Sequence, residues 1–126
     1  MDDSFQELKF VLQTLGLPVS GQLHLVEDDC TRIAILTGAF AAAQRAVRLE
    51  ASEALTPEQT SALRELGARL AEVQQQTRAP LCSELAMRQS ADWQQVRTMA
   101  RKALVQFQWT LELPPHEAIH IQSYLN

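Results

Sequence analysis

The sequence predicts an all-α protein, a single-domain bundle of five or six helices built around a central antiparallel α-hairpin. Strong helix formers (alanine, leucine, glutamine, glutamate and arginine) dominate the composition, and only four glycines and five prolines interrupt it. Apolar residues recur at three- and four-residue steps, which is the spacing of one helix face. A chain of 126 residues has the length of one domain, so residues 1–126 are expected to form a single unit.

The first helix is expected to begin at a capping box and to end at a glycine. In residues 4–7 (SFQE), the serine oxygen can accept from the backbone N–H of the glutamate, whose side chain reaches back. Gly16 is predicted to follow the helix as a left-handed cap. The apolar stripe of this helix consists of Phe5, Leu8, Leu12 and Leu15.

The segment after the first helix is ambiguous. Pro18 and Gly21 predict a turn over residues 17–22. Residues 23–29 fit either a short extended piece or an early start of the next helix, and the sequence leaves both readings open. Asp28 or Asp29 is suited to cap the second helix, because a short acidic side chain can accept from the first free N–H groups.

The central hairpin has the clearest sequence signal. Thr56 and Gln59 form a second capping box, with Pro57 at the first helical position. Helices over roughly Thr31–Ala54 and Pro57–Thr77 are then joined by a very short loop, which forces them to pack antiparallel. Their apolar stripes are Ile33, Leu36, Phe40, Ala43, Val47 and Ala54 in one helix and Leu63, Leu66, Leu70, Val73 and Thr77 in the other. Phe40, Val47, Leu63, Leu66 and Leu70 are predicted to be buried between the two helices.

The region after Pro80, which stops the second hairpin helix, predicts one long helix or two shorter ones over residues 80–112. Ser90 is a suitable N-cap and favours a break there. The proline pair at 114–115 is expected to end this helical region, and a last short helix is expected over residues 116–125. The apolar face of the region consists of Cys82, Leu85, Trp93, Val96, Ala100, Ala103, Phe107 and Leu111.

Charge and cysteine content limit the classes of function. A net charge of −4 disfavours a nucleic-acid-binding protein, since non-specific binding depends on neutralising phosphates. The N-terminus lacks the basic start and apolar run of a secretory signal, and no stretch approaches the roughly 18 apolar residues of a membrane span. With two widely separated cysteines, Cys30 and Cys82, the sequence predicts a cytoplasmic protein with reduced thiols. The alternative is a disulfide between these two cysteines.

The charge is also unevenly distributed along the chain. Residues 1–30 contain six acidic residues and one lysine, whereas residues 88–102 contain four basic residues and one acidic residue. We expect the two regions to attract each other within the fold or across a dimer. The alternative is a basic surface for an acidic partner.

One short motif suggests catalytic chemistry. Residues 116–120 (HEAIH) resemble the HExxH motif of zinc metallopeptidases, in which two histidines four residues apart bind zinc and the glutamate activates a bound water. Only six residues follow His120, none of them histidine or acidic, and nothing in the spacing selects an upstream third ligand. We therefore expect no metal and no cofactor. The alternative assigns His116 and His120 as zinc ligands and Glu117 as the catalytic base.

Four residues are candidates for an interaction surface. Trp93, Arg97 and Arg101 follow one another at four-residue steps, which suits a cation–π stripe or a contact surface. Trp109 does not fall on the predicted apolar face and is expected to be exposed, as interface tryptophans are. The alternative is that Trp93 belongs to the core and that the arginines are solvated.

The function predicted from these patterns is a non-enzymatic helical protein-interaction module, such as an adaptor, a small regulator or a helical chaperone. The partner is expected to be another protein, and neither a membrane nor a nucleic acid. A homodimer is also expected, because heptad-spaced helices with small residues favour helix association. The first alternative is a small zinc-dependent hydrolase that uses residues 116–120. The second is a nucleic-acid-binding regulator that uses residues 88–102.

Overall fold

A computed structural model of the chain describes residues 3–25, 32–76, 84–112 and 114, and within these ranges it contains helices and no strand. The all-α class is therefore confirmed. The α-helices are α1 (Asp3–Gly16), α2 (Val19–Leu25), α3 (Arg32–Ala51), α4 (Pro57–Gln76), α5 (Glu84–Gln89) and α6 (Ala91–Gln106). A 3-10 turn, Ser52–Ala54, follows α3. None of the described helices is long and apolar enough to cross a membrane.

The four longest helices form a bundle in which each helix packs against two others. Helix α1 lies against α3 and α6, and α4 lies against the same two helices. The short helices α2 and α5 contact each other, and they also contact α1 and α6 respectively. Helices α4 and α6 run in opposite directions, since Gln59 Nε2 donates to the Gln106 carbonyl and Arg69 Nη2 donates to Asp92 Oδ1.

The core of the bundle is built from the predicted apolar stripes. Trp93 and Phe40 are its largest apolar side chains and are almost completely buried. Burial of this apolar surface is the main source of stability for such a bundle. The buried stripe residues include Leu8, Leu12 and Leu15 of α1, Leu36, Phe40 and Val47 of α3, Leu63, Leu66, Leu70 and Val73 of α4, and Val96, Ala100 and Ala103 of α6.

The predicted hairpin is confirmed. Helices α3 and α4 pack together across a connection of five residues, and the five side chains expected between them are all buried. The capping box is reciprocal: Gln59 N donates to Thr56 Oγ1 at 3.1 Å, and Thr56 N donates to Gln59 Oε1 at 2.9 Å. The predicted break at Ser90 is also confirmed, because Ser90 Oγ accepts from Trp93 N at 3.1 Å and caps α6.

The predicted turn over residues 17–22 is wrong from Val19 onward. The carbonyl of Pro18 accepts from Gly21 N at 2.9 Å and from Gln22 N at 3.2 Å, so the proline caps the start of α2. Proline is tolerated in the first turn of a helix, where its missing N–H has no partner to lose. Among the described glycines none has a positive φ, and Gly21 lies inside α2.

The prediction of a left-handed cap at Gly16 is also wrong. Gly16 is the last residue of α1 and has no positive φ. A Cβ atom at this position would lie 3.1 Å from Leu111 Cδ1 and 3.2 Å from Arg101 Cγ. Glycine therefore permits a close approach of these two side chains to the end of α1, and its backbone freedom is not used.

Helix α6 ends at Gln106, eight residues before Pro114. Gln108 takes a positive φ of 59° and reverses the chain. Gln108 N donates to Val105 O, and Trp109 N donates to Leu104 O, both at 3.0 Å, which is the hydrogen-bond pattern of a Schellman motif. Glycine usually occupies the reversed position, so glutamine gave no sequence signal there.

Three stripe residues are exposed although their spacing predicted burial, and Phe5 and Phe107 are only partly buried. Ala54 is exposed in the 3-10 turn, because the change of helix type there interrupts the α-helical spacing. Leu85 is 63% exposed, because the break at Ser90 shifts the phase of α5 and buries Met87 instead. Leu111 lies beyond the end of α6 and is partly exposed. The remaining predictions fall outside the described residues. They are the stripe residues Thr77 and Cys82, the caps proposed at Asp28 or Asp29, the helix stop at Pro80 and the helix over residues 116–125.

Candidate functional site: a groove between α3 and α4

The outer side of the α3–α4 hairpin carries a groove with a volume of about 490 Å³. Its floor is apolar and consists of Phe40, Leu63 and Leu70, which also belong to the core. A volume of this size falls within the range of ordinary ligand-binding clefts. The groove is therefore a candidate binding site among the described residues.

Small residues keep the groove open. Ala41 of α3 and Ala68 and Ala71 of α4 line it and are exposed. Gly67 lies between them, and a Cβ atom added there would be 3.3 Å from Phe40 Cε2 and 3.3 Å from Gln44 Oε1. Longer side chains at these four positions would project into the groove and fill it.

The charged residues in the groove are both basic. Arg48 of α3 and Arg64 of α4 line it, and no acidic side chain does. Both arginines are exposed, and within the described parts of the chain neither has a hydrogen-bonded or ion-paired partner. Both lie in the half of the groove nearer the turn between the helices, where Leu55 and Thr60 complete the lining. The groove therefore has a basic end and an uncharged end.

The uncharged end contains an unusual polar atom. Thr37 lines this part of the groove, and its Oγ1 atom is inaccessible to solvent and has no hydrogen-bond partner. A buried hydroxyl without a partner costs free energy, so most such groups in native proteins are satisfied. The remaining polar lining residue of α3, Gln44, is partly buried one turn before Arg48.

Trp93 does not belong to any surface of the folded chain. Only 1% of the residue is exposed, and its indole nitrogen donates to Gln22 Oε1 at 2.9 Å. The alternative reading of Trp93 as a core residue is therefore correct, and its prediction as an interaction residue is wrong. Its spacing from Arg97 follows from the helix and does not indicate a shared surface.

The other three candidate interaction residues lie at least partly at the surface. Arg97 is partly exposed and Arg101 is exposed, but Arg101 Nε donates to the Gly16 carbonyl at 2.8 Å and so binds the end of α1. Trp109 is half-buried, because its ring stacks on Phe107 with centroids 4.4 Å apart. Trp109 is therefore less exposed than its position off the predicted apolar face suggested, and whether these residues contact a partner stays a prediction.

The HExxH motif cannot be placed, since His116, Glu117 and His120 lie outside the described residues. Within the described ranges, no three histidine, cysteine, aspartate or glutamate side chains are close enough to hold a metal ion. Among the described residues, no group of side chains therefore supports the metal alternative.

The groove was not predicted from the sequence. One of its signals was visible, since Ala41 belongs to a run of small residues in the second predicted helix, which suggested close approach of a partner helix. The matching small residues of α4 are Gly67, Ala68 and Ala71, which lie just off its buried stripe. Their role in the groove can be recognised only from the packing of α4 against α3.

Comparison with known protein families, with characterised proteins and with solved structures finds no match to this chain.

Proposed function

We propose that this chain is a non-enzymatic helical protein-interaction module that binds its partner in the groove between α3 and α4. The groove itself supports the proposal most directly: it combines a buried apolar floor of Phe40, Leu63 and Leu70 with exposed walls of small residues. Apolar grooves between helices are a recurrent way to bind a segment of another protein. An adaptor, a small regulator and a helical chaperone all fit this description.

A substitution that fills the groove tests the proposal. Ala71→Trp would place a large side chain over the floor, whereas Ala42→Trp places the same side chain on an exposed position of α3 outside the groove. We expect the wild-type chain and the Ala42→Trp variant to capture the same partners from the native cells. The Ala71→Trp variant should not capture them. Each partner is then purified and its affinity measured with all three proteins.

The decisive result is the affinity of the purified partner. An affinity unchanged by Ala71→Trp would place the binding surface elsewhere and contradict the proposal. Thermal unfolding of both tryptophan variants checks that the fold is intact. The predicted homodimer stays a proposal as well, and the mass of the wild-type chain in solution tests it against the 14.1 kDa of one chain.

A further inference from the structure

The dimensions of the groove limit what it can bind. It extends along α3 from Thr37 to Arg48 and along α4 from Thr60 to Ala71. Each stretch covers eleven residue steps, which is roughly 16 Å at the α-helical rise, or about three turns. An open apolar groove of this length between two helices suits a third helix that inserts apolar side chains at i, i+3 or i+4, and i+7.

The charges of the groove select the chemistry of that helix. Arg48 and Arg64 lie at the same end, and acidic side chains are absent from the lining. This local basic site contrasts with the chain as a whole, whose net charge is −4. Complementary charges at the edge of an apolar site determine which partner binds and in which orientation. Carboxylates are the complementary groups for two guanidinium groups.

We propose that the groove binds an amphipathic helix of about three turns from a partner protein, with acidic residues at the end that meets Arg48 and Arg64. The inference rests on the proposed function, because it names the partner segment for the same groove. The apolar face of this helix packs on Phe40, Leu63 and Leu70, and its uncharged end lies over Ala41 and Ala68.

The proposal is tested with a display library of random peptides in a helix-forming framework. The library is selected on the full wild-type chain, and selected peptides are then measured in solution. Expected sequences combine an apolar i, i+3, i+4, i+7 pattern with aspartate or glutamate near one end. Their binding should be lost in Ala71→Trp and retained in Ala42→Trp.

Charge reversal tests the acidic part separately. The double variant Arg48→Glu/Arg64→Glu is expected to weaken these peptides by about tenfold or more, the size of one or two ion pairs at the edge of an interface. Arg45→Glu is the matched control, since Arg45 is exposed on α3 but does not line the groove. It should leave the affinity within about twofold.

Three results would overturn the inference, and they can be told apart. In the first, the selected peptides are apolar without an acidic preference, and their binding is lost in Ala71→Trp but unaffected by the charge reversal. This result would support the proposed function and contradict the acidic partner. In the second, the selection yields no peptide whose binding is sensitive to Ala71→Trp. This result would contradict both the proposed function and the acidic partner. In the third, the wild-type protein has a mass in solution near twice 14.1 kDa, and the Ala71→Trp variant has the mass of one chain. This result would identify a second copy of the chain as the occupant of the groove.

Discussion

The indole nitrogen of Trp93 donates a hydrogen bond to Gln22 Oε1 at 2.9 Å, and both residues are buried in the bundle. Gln22 Nε2 in turn donates to the carbonyl of Leu15 at 3.1 Å. One glutamine side chain thus joins the last turn of α1, the short helix α2 and the first turn of α6. Because each group has a partner, this polar link within an apolar core does not leave an uncompensated dipole.

Gln22→Leu is therefore expected to destabilise the fold by about 1–3 kcal/mol, because it leaves the Trp93 N–H buried without an acceptor. Chemical denaturation measures the loss. The matched variant Trp93→Phe removes the donor, and the double variant should lose clearly less than the sum of the two single losses. Additive losses would show that the hydrogen bond contributes nothing to stability.

Leu66 is completely buried in the hairpin, so Leu66→Ala is expected to cost about 2–5 kcal/mol through the cavity it leaves. Leu49 of α3 is 80% exposed and provides the matched control, since Leu49→Ala should change the free energy of unfolding by less than about 0.5 kcal/mol. Urea unfolding of both variants measures the difference. Equal losses in the two variants would contradict the arrangement of the hairpin.

Sequence patterns predicted the fold where local chemistry and apolar spacing agreed. The Thr56–Gln59 capping box and the Ser90 cap are examples, since both satisfy free N–H groups of their own helices. Such interactions depend on residues three positions apart and can be read from the sequence. The stripes of α4 up to Val73 and of α6 up to Ala103 were correct for the same reason, because one buried face requires a fixed period.

Features that depend on distant residues could not be predicted. Whether Pro18 ends a helix or starts one depends on the packing of α2 against α1 and α5, and propensity alone favoured a turn. Gln108 adopts a positive φ that glycine would normally provide. The groove requires two helices to place Ala41 beside Ala68 and Ala71, and its basic end requires Arg48 and Arg64 to lie on the same side.

The conformation of Gln108 leads to a stabilising substitution. A non-glycine residue at φ 59° pays a steric cost that glycine avoids, and position 108 follows the end of α6. Gln108→Gly is expected to raise the free energy of unfolding by about 0.5–1 kcal/mol, since relief of strain exceeds the added freedom of the unfolded chain. Gln106→Gly, inside the last turn of α6, should lower it by a similar amount. A loss in both variants would count against the Schellman motif.

The metal alternative is tested by composition and stability. We expect protein purified without a histidine tag to contain well under one zinc ion per chain, and its thermal midpoint should not change when a chelator is added, because a bound metal would stabilise the fold. Near-stoichiometric zinc that disappears in His116→Ala or His120→Ala would contradict this prediction. Loss of a peptide-hydrolysing activity in Glu117→Gln, with zinc retained, would then identify Glu117 as the general base.

Arg101 has a structural contact in the fold and is also a candidate for binding a partner, and a substitution can separate the two roles. Arg101 Nε donates to the carbonyl of Gly16, the last residue of α1, where free carbonyls give a helix end its partial negative charge. Arg101→Met keeps most of the side-chain stem and removes the hydrogen bond and the charge. It is expected to lower the free energy of unfolding by about 1 kcal/mol.

Arg97→Met is the control, because Arg97 is partly exposed one turn earlier on α6 and is expected to have no effect above about 0.5 kcal/mol. Chemical denaturation of the two variants at the same salt concentration gives the comparison. A loss confined to Arg101→Met assigns that arginine to the contact between α6 and the end of α1. Unchanged stability in both variants would show that the hydrogen bond to Gly16 does not stabilise the fold, and Arg101 would then remain an interface candidate on the same footing as Arg97.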